Sequence, residues 1–297
     1  MTLKNKWVLI TGASSGFGAA AARAFAAEGC KLLLGARRVD RLKEVAAEAR
    51  GAGAPEAHFH ALDVSQTSSV DAFVAWVRNT ITERRSAVIS DQSSVTSNQS
   101  SVAAPEALIT DHRALITPPP PPCLDVLINN AGGAQGIDTV AEGKDVDWET
   151  MLQSNVLGIL RMTRAALPLM LKNPGSSLIN IGSIAGHVAY EGGAAYCAAK
   201  AGELQITRAL RLELNGTGIR VTTIDPGLAE TEFSVVRFKG DVARAKKVYE
   251  GTRPLTAEDI ADILVWVASR PAHVNIDELL VKPVDQAAVH KVYRRTA

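Results

Sequence analysis

The feature that most constrains this chain is a join near its start. An apolar run, Trp7-Val8-Leu9-Ile10, feeds into Thr11-Gly12-Ala13-Ser14-Ser15-Gly16-Phe17-Gly18, and an alanine-rich helical pattern follows at once. A strand that becomes a helix within so few residues needs backbone freedom, which glycine has. Glycines also let the backbone approach a pyrophosphate closely, while the helix N-terminus supplies N–H groups and the positive end of its dipole. A bare glycine cluster is compatible with a plain tight turn. The strand before and the helix after are the context that a dinucleotide site requires. Gly12, Ser14, Ser15, Gly16, Phe17 and Gly18 are therefore candidate cofactor-binding residues.

Further apolar runs are Lys31–Leu34, Val126–Ile128, Ser177–Ile181 and Ile219–Ile224. Several are continuous rather than alternating, as strands buried on both faces are. Helical patterns lie between them, at Ala19–Glu28, Arg41–Arg50, Val70–Ile81, Trp148–Leu171 and Ala194–Leu214. This repetition predicts an α/β fold, a Rossmann-like parallel sheet with helices on both faces, in one dinucleotide-binding domain over residues 1–297.

Residues 86–122 break the rhythm. They are rich in Ser, Thr, Gln and Asn and end in the prolines Pro118 to Pro122. They also repeat: Ser90-Asp91-Gln92-Ser93-Ser94-Val95-Thr96 is echoed by Ser97-Asn98-Gln99-Ser100-Ser101-Val102-Ala103. Low-complexity sequence of this kind reads as a disordered or extended insertion within the domain. It precedes the strand pattern at Val126, which places it at the N-terminal edge of the sheet. Ligands bind at the opposite edge in such folds.

Composition narrows the function. Lys+Arg 32 against Asp+Glu 31 leaves a formal charge of +1, which removes the electrostatic case for nucleic acid or an anionic membrane surface. No run approaches the ~20 apolar residues of a membrane span, and MTLKNKW lacks a signal-peptide core. Cys30, Cys123 and Cys197 fit neither a disulfide framework nor a metal site, so a cytoplasmic, reducing location is expected.

The second strand pattern ends Gly35-Ala36-Arg37-Arg38. An acid at this place would hold the ribose hydroxyls of NAD. Arg37 and Arg38 stand there instead, and arginine pairs with phosphate, so the 2′-phosphate of NADP is the expected ligand. The alternative is two solvated arginines opening a helix. Farther on, Ser183 follows a strand pattern, Tyr196 comes 13 positions later and Lys200 four after that. Tyr-x-x-x-Lys on a helix puts both side chains on one face. A phenol is a poor base at neutral pH, but an adjacent ammonium favours the phenolate. Ser183 can bond a substrate oxygen.

These motifs together resemble the short-chain dehydrogenase/reductase family. Thr11 to Gly18 is similar to its glycine turn, Asn129-Asn130-Ala131-Gly132 to its N-N-A-G motif, and Asp63-Val64 to the pair that contacts adenine. Asn155, Ser183, Tyr196 and Lys200 resemble its catalytic tetrad, and Pro226-Gly227-Leu228 with Thr231 its nicotinamide-side loop. The resemblance implies cofactor contacts at Gly12 to Gly18, Asp63, Val64, Asn130, Ala131, Gly132, Tyr196, Lys200, Pro226, Gly227, Leu228 and Thr231. Pro226 to Ser234, then Arg237-Phe238-Lys239-Gly240, further resembles the branch of NADP-dependent 3-hydroxy acid dehydrogenases.

That branch implies reversible hydride transfer between the nicotinamide and C3 of a 3-hydroxy acid such as L-serine, L-allo-threonine or 3-hydroxyisobutyrate. Tyr196 would be the general base, Lys200 its activator and ribose ligand, and Ser183 the group that orients the reacting oxygen. Asn155 would hold a water leading from Lys200 to solvent. Arg237 is the candidate for the substrate carboxylate, since arginine can clamp one with two bonds; the alternative is a surface arginine on a lid. The family pairs subunits through its long helices, which implies a homo-oligomer, dimer or tetramer. Two other readings stay open: a reductase of other carbonyls such as 3-oxoacyl thioesters or ketones, and a catalytically silent NADP-binding sensor.

Overall fold

A computed structural model describes residues 2–96 and 123–296, and residues 84–96 by their backbone. In chain order the elements are β1 (Trp7–Thr11), α1 (Gly16–Ala27), β2 (Lys31–Ala36), α2 (Val39–Gly51), β3 (Ala57–Ala61), α3 (Thr67–Thr96), β4 (Val126–Asn129) and α4 (Asp145–Leu152). A π turn, Gln153–Leu157, joins α4 to α5 (Gly158–Met170). Then come β5 (Ser177–Ile181), a 3₁₀ turn at Ile184–Gly186, α6 (Ala194–Glu213), β6 (Arg220–Pro226), α7 (Phe233–Arg237), α8 (Val242–Lys247), α9 (Ala257–Ala268) and β7 (Glu278–Val281). A short antiparallel pair, Gln286–Ala288 and Lys291–Val292, follows.

The sheet runs β3-β2-β1-β4-β5-β6-β7, and every pairing in it is parallel. Alternate residues of each inner strand enter different cores. Val8, Ile10, Leu32 and Leu34 pack with Phe25 and Leu264 on the face covered by α1, α2 and α9. Leu9, Leu33 and Leu127 pack with Phe73, Val77 and Met162 on the face covered by α3, α5 and α6. Burial on both faces is why these strands read as unbroken apolar runs. The order reverses at β1, with β2 on one side and β4 on the other, so a crevice opens beyond their carboxyl ends.

Two edge strands and α9 escaped the sequence reading. β3 is Ala-His-Phe-His-Ala and half-exposed, and β7 is likewise incompletely covered, so neither carries a continuous apolar signature. α9 is announced by a capping box in which Thr256 and Asp259 bond each other's backbone N–H.

The segment 86–122 divides. α3 continues through Thr96, so residues 86–96 are helical backbone, where sequence predicts a disordered or extended stretch. At about 1.5 Å per residue a 30-residue helix spans about 45 Å, longer than the packed stretch Val70 to Ile81 requires. The rest, residues 97–122, lies outside the described residues. The described residues begin again at Cys123, and Asp125 accepts from the Trp7 amide at 2.8 Å and from Lys6 Nζ at 2.9 Å. That is the N-terminal edge of the sheet.

Candidate active site

The crevice beyond β1 and β4 is built from backbone. Gly12 has φ +65°, a left-handed value that favours glycine. A Cβ on Gly18 would lie 2.5 Å from the Gly12 carbonyl oxygen and 2.6 Å from Asn130 Nδ2, so helix and strand meet here only without a side chain. Asn130 ties the two strands together. Its Nδ2 donates to the carbonyls of Thr11 (2.9 Å) and Gly12 (3.2 Å), while Thr11 Oγ1 accepts from the amides of Asn130 and Ala131. Thr231 lies over the mouth of the turn, its Cβ 3.5 Å from where a Gly16 Cβ would stand.

At the end of β2, Arg38 reaches the turn. Its Nη2 donates to Ser15 Oγ at 2.6 Å and its Nε to Ser14 Oγ at 3.3 Å. Arg37 stands exposed and makes no such contact among the described residues. Two groups here were missed by sequence reading. Glu232 accepts from Arg38 Nη1 at 2.9 Å and from Arg41 Nη1 at 3.3 Å. Ser14, Ser15, Gly16, Arg41, Thr231 and Glu232 line a groove of about 690 Å³. Arg41 sits three residues past Arg38 on α2, a spacing that puts both over one corner. Asp63 closes the turn after β3, its Oδ1 accepting from the amide and hydroxyl of Ser65, and Val64 is buried beside it.

The second half of the site gathers at β5, β6 and α6. Asn155 lies fully buried in the π turn, an irregularity frequent at functional positions. Its Nδ2 donates to the carbonyls of Gly133 and Met151, both at 2.8 Å, and its Oδ1 accepts from the Gly133 amide at 3.1 Å. Asn155 therefore grips the loop that carries Ala131 and Gly132. Ser183 caps the 3₁₀ turn, its Oγ accepting from the Ala185 amide at 3.1 Å. Ala185 packs with Tyr196, Cys197 and Met151 in one cluster, which brings the Ser183 turn against the first turn of α6. Lys200 is buried one turn on, its Nζ donating to the Ile181 carbonyl at 2.8 Å and to Glu203 at 2.6 Å. Burial works against its ammonium, but Glu203 and Tyr196 outweigh burial and hold it above the ordinary lysine value. Gly227 and Leu228 are fixed by the tail: the Gly227 amide donates to the Val281 carbonyl and the Leu228 amide to Gln286 Oε1.

Arg237 closes the site from α7. Its Nε donates to the Gly136 carbonyl at 2.9 Å, and its backbone carbonyl accepts from the Gly136 amide at 2.9 Å. The guanidinium carbon lies 5.4 Å from the Tyr190 ring and 5.7 Å from the Tyr196 ring. Its Nη2 is buried without a hydrogen-bond partner among the described residues. Burial pushes the Tyr190 hydroxyl up to about 12, although Arg237 opposes it. Gln135, Gly136, Asp147, Trp148 and Tyr196 line a small cleft alongside.

A parallel sheet with a glycine-walled crevice at its switch point, and a Tyr-x-x-x-Lys helix beside it, defines a dinucleotide-dependent oxidoreductase. NADP fits the crevice: the Gly12–Gly18 cradle leaves room for a pyrophosphate, and Arg38 is braced on Ser14 and Ser15 where a 2′-phosphate would need a cation. The family model described as short chain dehydrogenase matches residues 6–85 and 120–241, leaving 86–119 unmatched. The chain belongs to the short-chain dehydrogenase family. It is 37% identical to a serine 3-dehydrogenase of Agrobacterium fabrum, across 97% of this chain and 98% of that one. It is 37% identical to an NADP-dependent 3-hydroxy acid dehydrogenase of Schizosaccharomyces pombe, across 99% of both. A sulfoacetaldehyde reductase of Chromohalobacter salexigens is 40% identical, across 94% of this chain and 95% of the other. Among solved structures, the closed form of a serine dehydrogenase complexed with NADP⁺ superposes with a TM-score of 0.77 at 36% identity, covering 98% of this chain and all of that one.

Proposed function

We propose that this chain is an NADP-dependent dehydrogenase acting at C3 of short 3-hydroxy acids of the L-serine, L-allo-threonine and 3-hydroxyisobutyrate type. The observation that carries the reading is Arg237: a half-buried guanidinium beside the Tyr196 ring, whose buried Nη2 has no hydrogen-bond partner among the described residues. A buried donor left unsatisfied costs about 1–3 kcal/mol, and a carboxylate would satisfy it. The relatives named for serine and for 3-hydroxy acids support the same class.

When bound, the nicotinamide supplies the hydride acceptor or donor. Tyr196 takes the proton of the substrate hydroxyl as general base. Lys200 favours its phenolate. Ser183 Oγ orients the reacting oxygen and stabilises charge on it. Asn155 is engaged by Gly133 and Met151, which supports a part in fixing the Gly132–Gly133 turn, in addition to the water relay that the family resemblance implies. Arg38, with Arg41, would hold the 2′-phosphate. Asp63 and Val64 would meet the adenine.

Exposed apolar side chains along α4, the π turn and α5 (Val146, Leu152, Leu157 and Leu160), on β7 (Leu280) and beyond it (Val284 and Tyr293) support a homo-oligomer. Light scattering on a sizing column would give its number. Cys30, Cys123 and Cys197 are thiols, which supports a reducing, cytoplasmic setting. Among the described residues no helix is long and apolar enough to cross a membrane.

The test follows NADPH formation from NADP⁺ with L-allo-threonine, L-serine and 3-hydroxyisobutyrate. Tyr196→Phe should lower kcat by about 10²–10⁴-fold, the range for losing a general base, with NADP⁺ still bound. Arg237→Ala should raise KM for the acid about tenfold to a hundredfold, from a charge-assisted bond of about 1.5–3 kcal/mol, and leave NADP⁺ affinity alone. An unchanged KM would remove Arg237 from the substrate site. Sulfoacetaldehyde reduction by NADPH is the comparison reaction, because a sulfonate presents the same anionic oxygens to Arg237. Turnover of that substrate alone would reassign the chain to the second reading, an aldehyde reductase.

A further inference from the structure

A carboxylate lies behind the reacting groups and has no part in the reaction as described. Glu203 stands three residues after Lys200 on α6 and is fully buried. Its Oε2 accepts from Lys200 Nζ at 2.6 Å, and its Oε1 meets no donor among the described residues. The lysine ammonium has three donors. One goes to Glu203 and a second to the Ile181 carbonyl at the end of β5, which leaves one for the site. A carboxylate so near, in a low-dielectric interior, also offsets the positive field that the ammonium casts on Tyr196.

We propose that Glu203 is a positioning residue that anchors Lys200 and sets how much of its charge reaches Tyr196, so that the pH at which oxidation switches on is governed from inside the fold. The proposal rests on the reading of Tyr196 as the base. The charged groups acting on Glu203 are Lys200 on its own helix and Asp225 on β6, the latter bonded to His187 at 2.8 Å, while Tyr196 and Asp225 both act on Lys200. Thr207, one turn on, donates to the Glu203 carbonyl and accepts from the neutral Asn180 of β5. Burial pushes the Glu203 carboxyl up to about 7, against the attraction of Lys200 and with Asp225 adding to the rise. Its charge therefore changes in the neutral range. Protonated, it leaves the field of Lys200 at Tyr196 intact; ionised, it weakens that field.

Glu203→Gln keeps an acceptor of the same shape and removes the charge. Two readouts are taken across pH. One is kcat/KM for NADP⁺-dependent oxidation. The other is the tyrosinate absorbance that Tyr196→Phe removes, measured with and without NADP⁺. The expected result is that both acid limbs move to lower pH in Glu203→Gln by about one unit, a tenfold change in phenolate. Glu203→Met serves the same purpose if the amide prevents folding. Limbs that stay in place in the folded variant, with kcat reduced by one factor at every pH, would reduce Glu203 to a packing role and overturn the proposal. Should the parent turn over none of the 3-hydroxy acids while the tyrosinate signal still moves, the substrate reading fails and the role of Glu203 stands.

Discussion

Glu232 holds Arg38. The 2.9 Å pair joins the segment after β6 to the end of β2, and Arg41 adds a second bond to the same carboxylate at 3.3 Å. Burial alone would raise the Glu232 carboxyl, but Arg38 and Arg41 more than offset this and keep it low, so it is ionised at neutral pH. It would thus compete with a phosphate proposed to sit on the same two guanidinium groups. The pair is 46% and 40% exposed, and exposed pairs contribute at most about 1 kcal/mol. Glu232→Gln is expected to tighten NADP⁺ binding by up to about fivefold, the affinity equivalent of that energy, and to leave NAD⁺ binding unchanged. Calorimetric titration at low and high salt measures both. Weaker NADP⁺ binding would show instead that Glu232 fastens a lid which the cofactor needs.

Of the two adjacent arginines, Arg38 is the one that bonds the glycine turn, through Ser14 and Ser15. On the proposal that Arg38 holds the 2′-phosphate, Arg38→Ala removes a charge-assisted bond of about 1.5–3 kcal/mol. NADP⁺ affinity is expected to fall about tenfold to a hundredfold while NAD⁺ affinity holds. Arg37→Ala, which alters an exposed side chain without a contact to the turn, should change the ratio little. The ratio of the two dissociation constants in each variant decides between the arginines.

Most of the sheet and the outline of the site were legible because their causes are local. A continuous apolar run marks a strand buried on both faces, and the glycine turn marks the strand-to-helix corner. What was not legible depends on pairings across the fold. Arg38 and Glu232 are 194 positions apart, and nothing near either names the other. The same holds for Arg237 and Gly136, 101 positions apart. The π turn at Asn155 was hidden inside one helical pattern, since a single extra residue in a turn leaves the apolar spacing nearly unaltered. Glu203 did carry a signal. It is an acid on a helix face whose other members, Ala199, Leu204 and Thr207, are buried, and a buried acid requires a partner.

Glu203 also makes stability depend on pH. The unfolded carboxyl ionises near 4.5, whereas burial holds the folded one at about 7. Between these values the folded state binds the extra proton, so the contribution is present below 4.5 and lost as pH rises through about 7. Lys200 is held above the ordinary lysine value, so its contribution is lost at alkaline pH, outside this window. The parent Tm is expected to fall between about pH 5 and about pH 7.5 by more than that of Glu203→Gln. Scanning calorimetry on both proteins across that window measures the difference. Parallel curves would mean that Glu203 is ionised throughout the window.

Residues 86–122, most of which fall between the two matched parts of the family model, are expected to be dispensable for catalysis. Among the described residues, Ile81 is the last of α3 in the buried core, and Cys123 directly precedes the β4 segment. The rejoining strand is anchored by Asp125 to Lys6 and Trp7, at the edge of the sheet opposite the glycine turn. Replacing residues 86–122 by a short Gly-Ser linker should therefore leave kcat and the NADP⁺ dissociation constant unchanged. Shortening a loop recovers about 0.6 kcal/mol for each halving of its length, so Tm should rise by a few degrees. Kinetics and melting of the shortened protein measure both effects. A large change in turnover would mean that the segment reaches across to the carboxyl end of the sheet, and the placement at the N-terminal edge would be wrong.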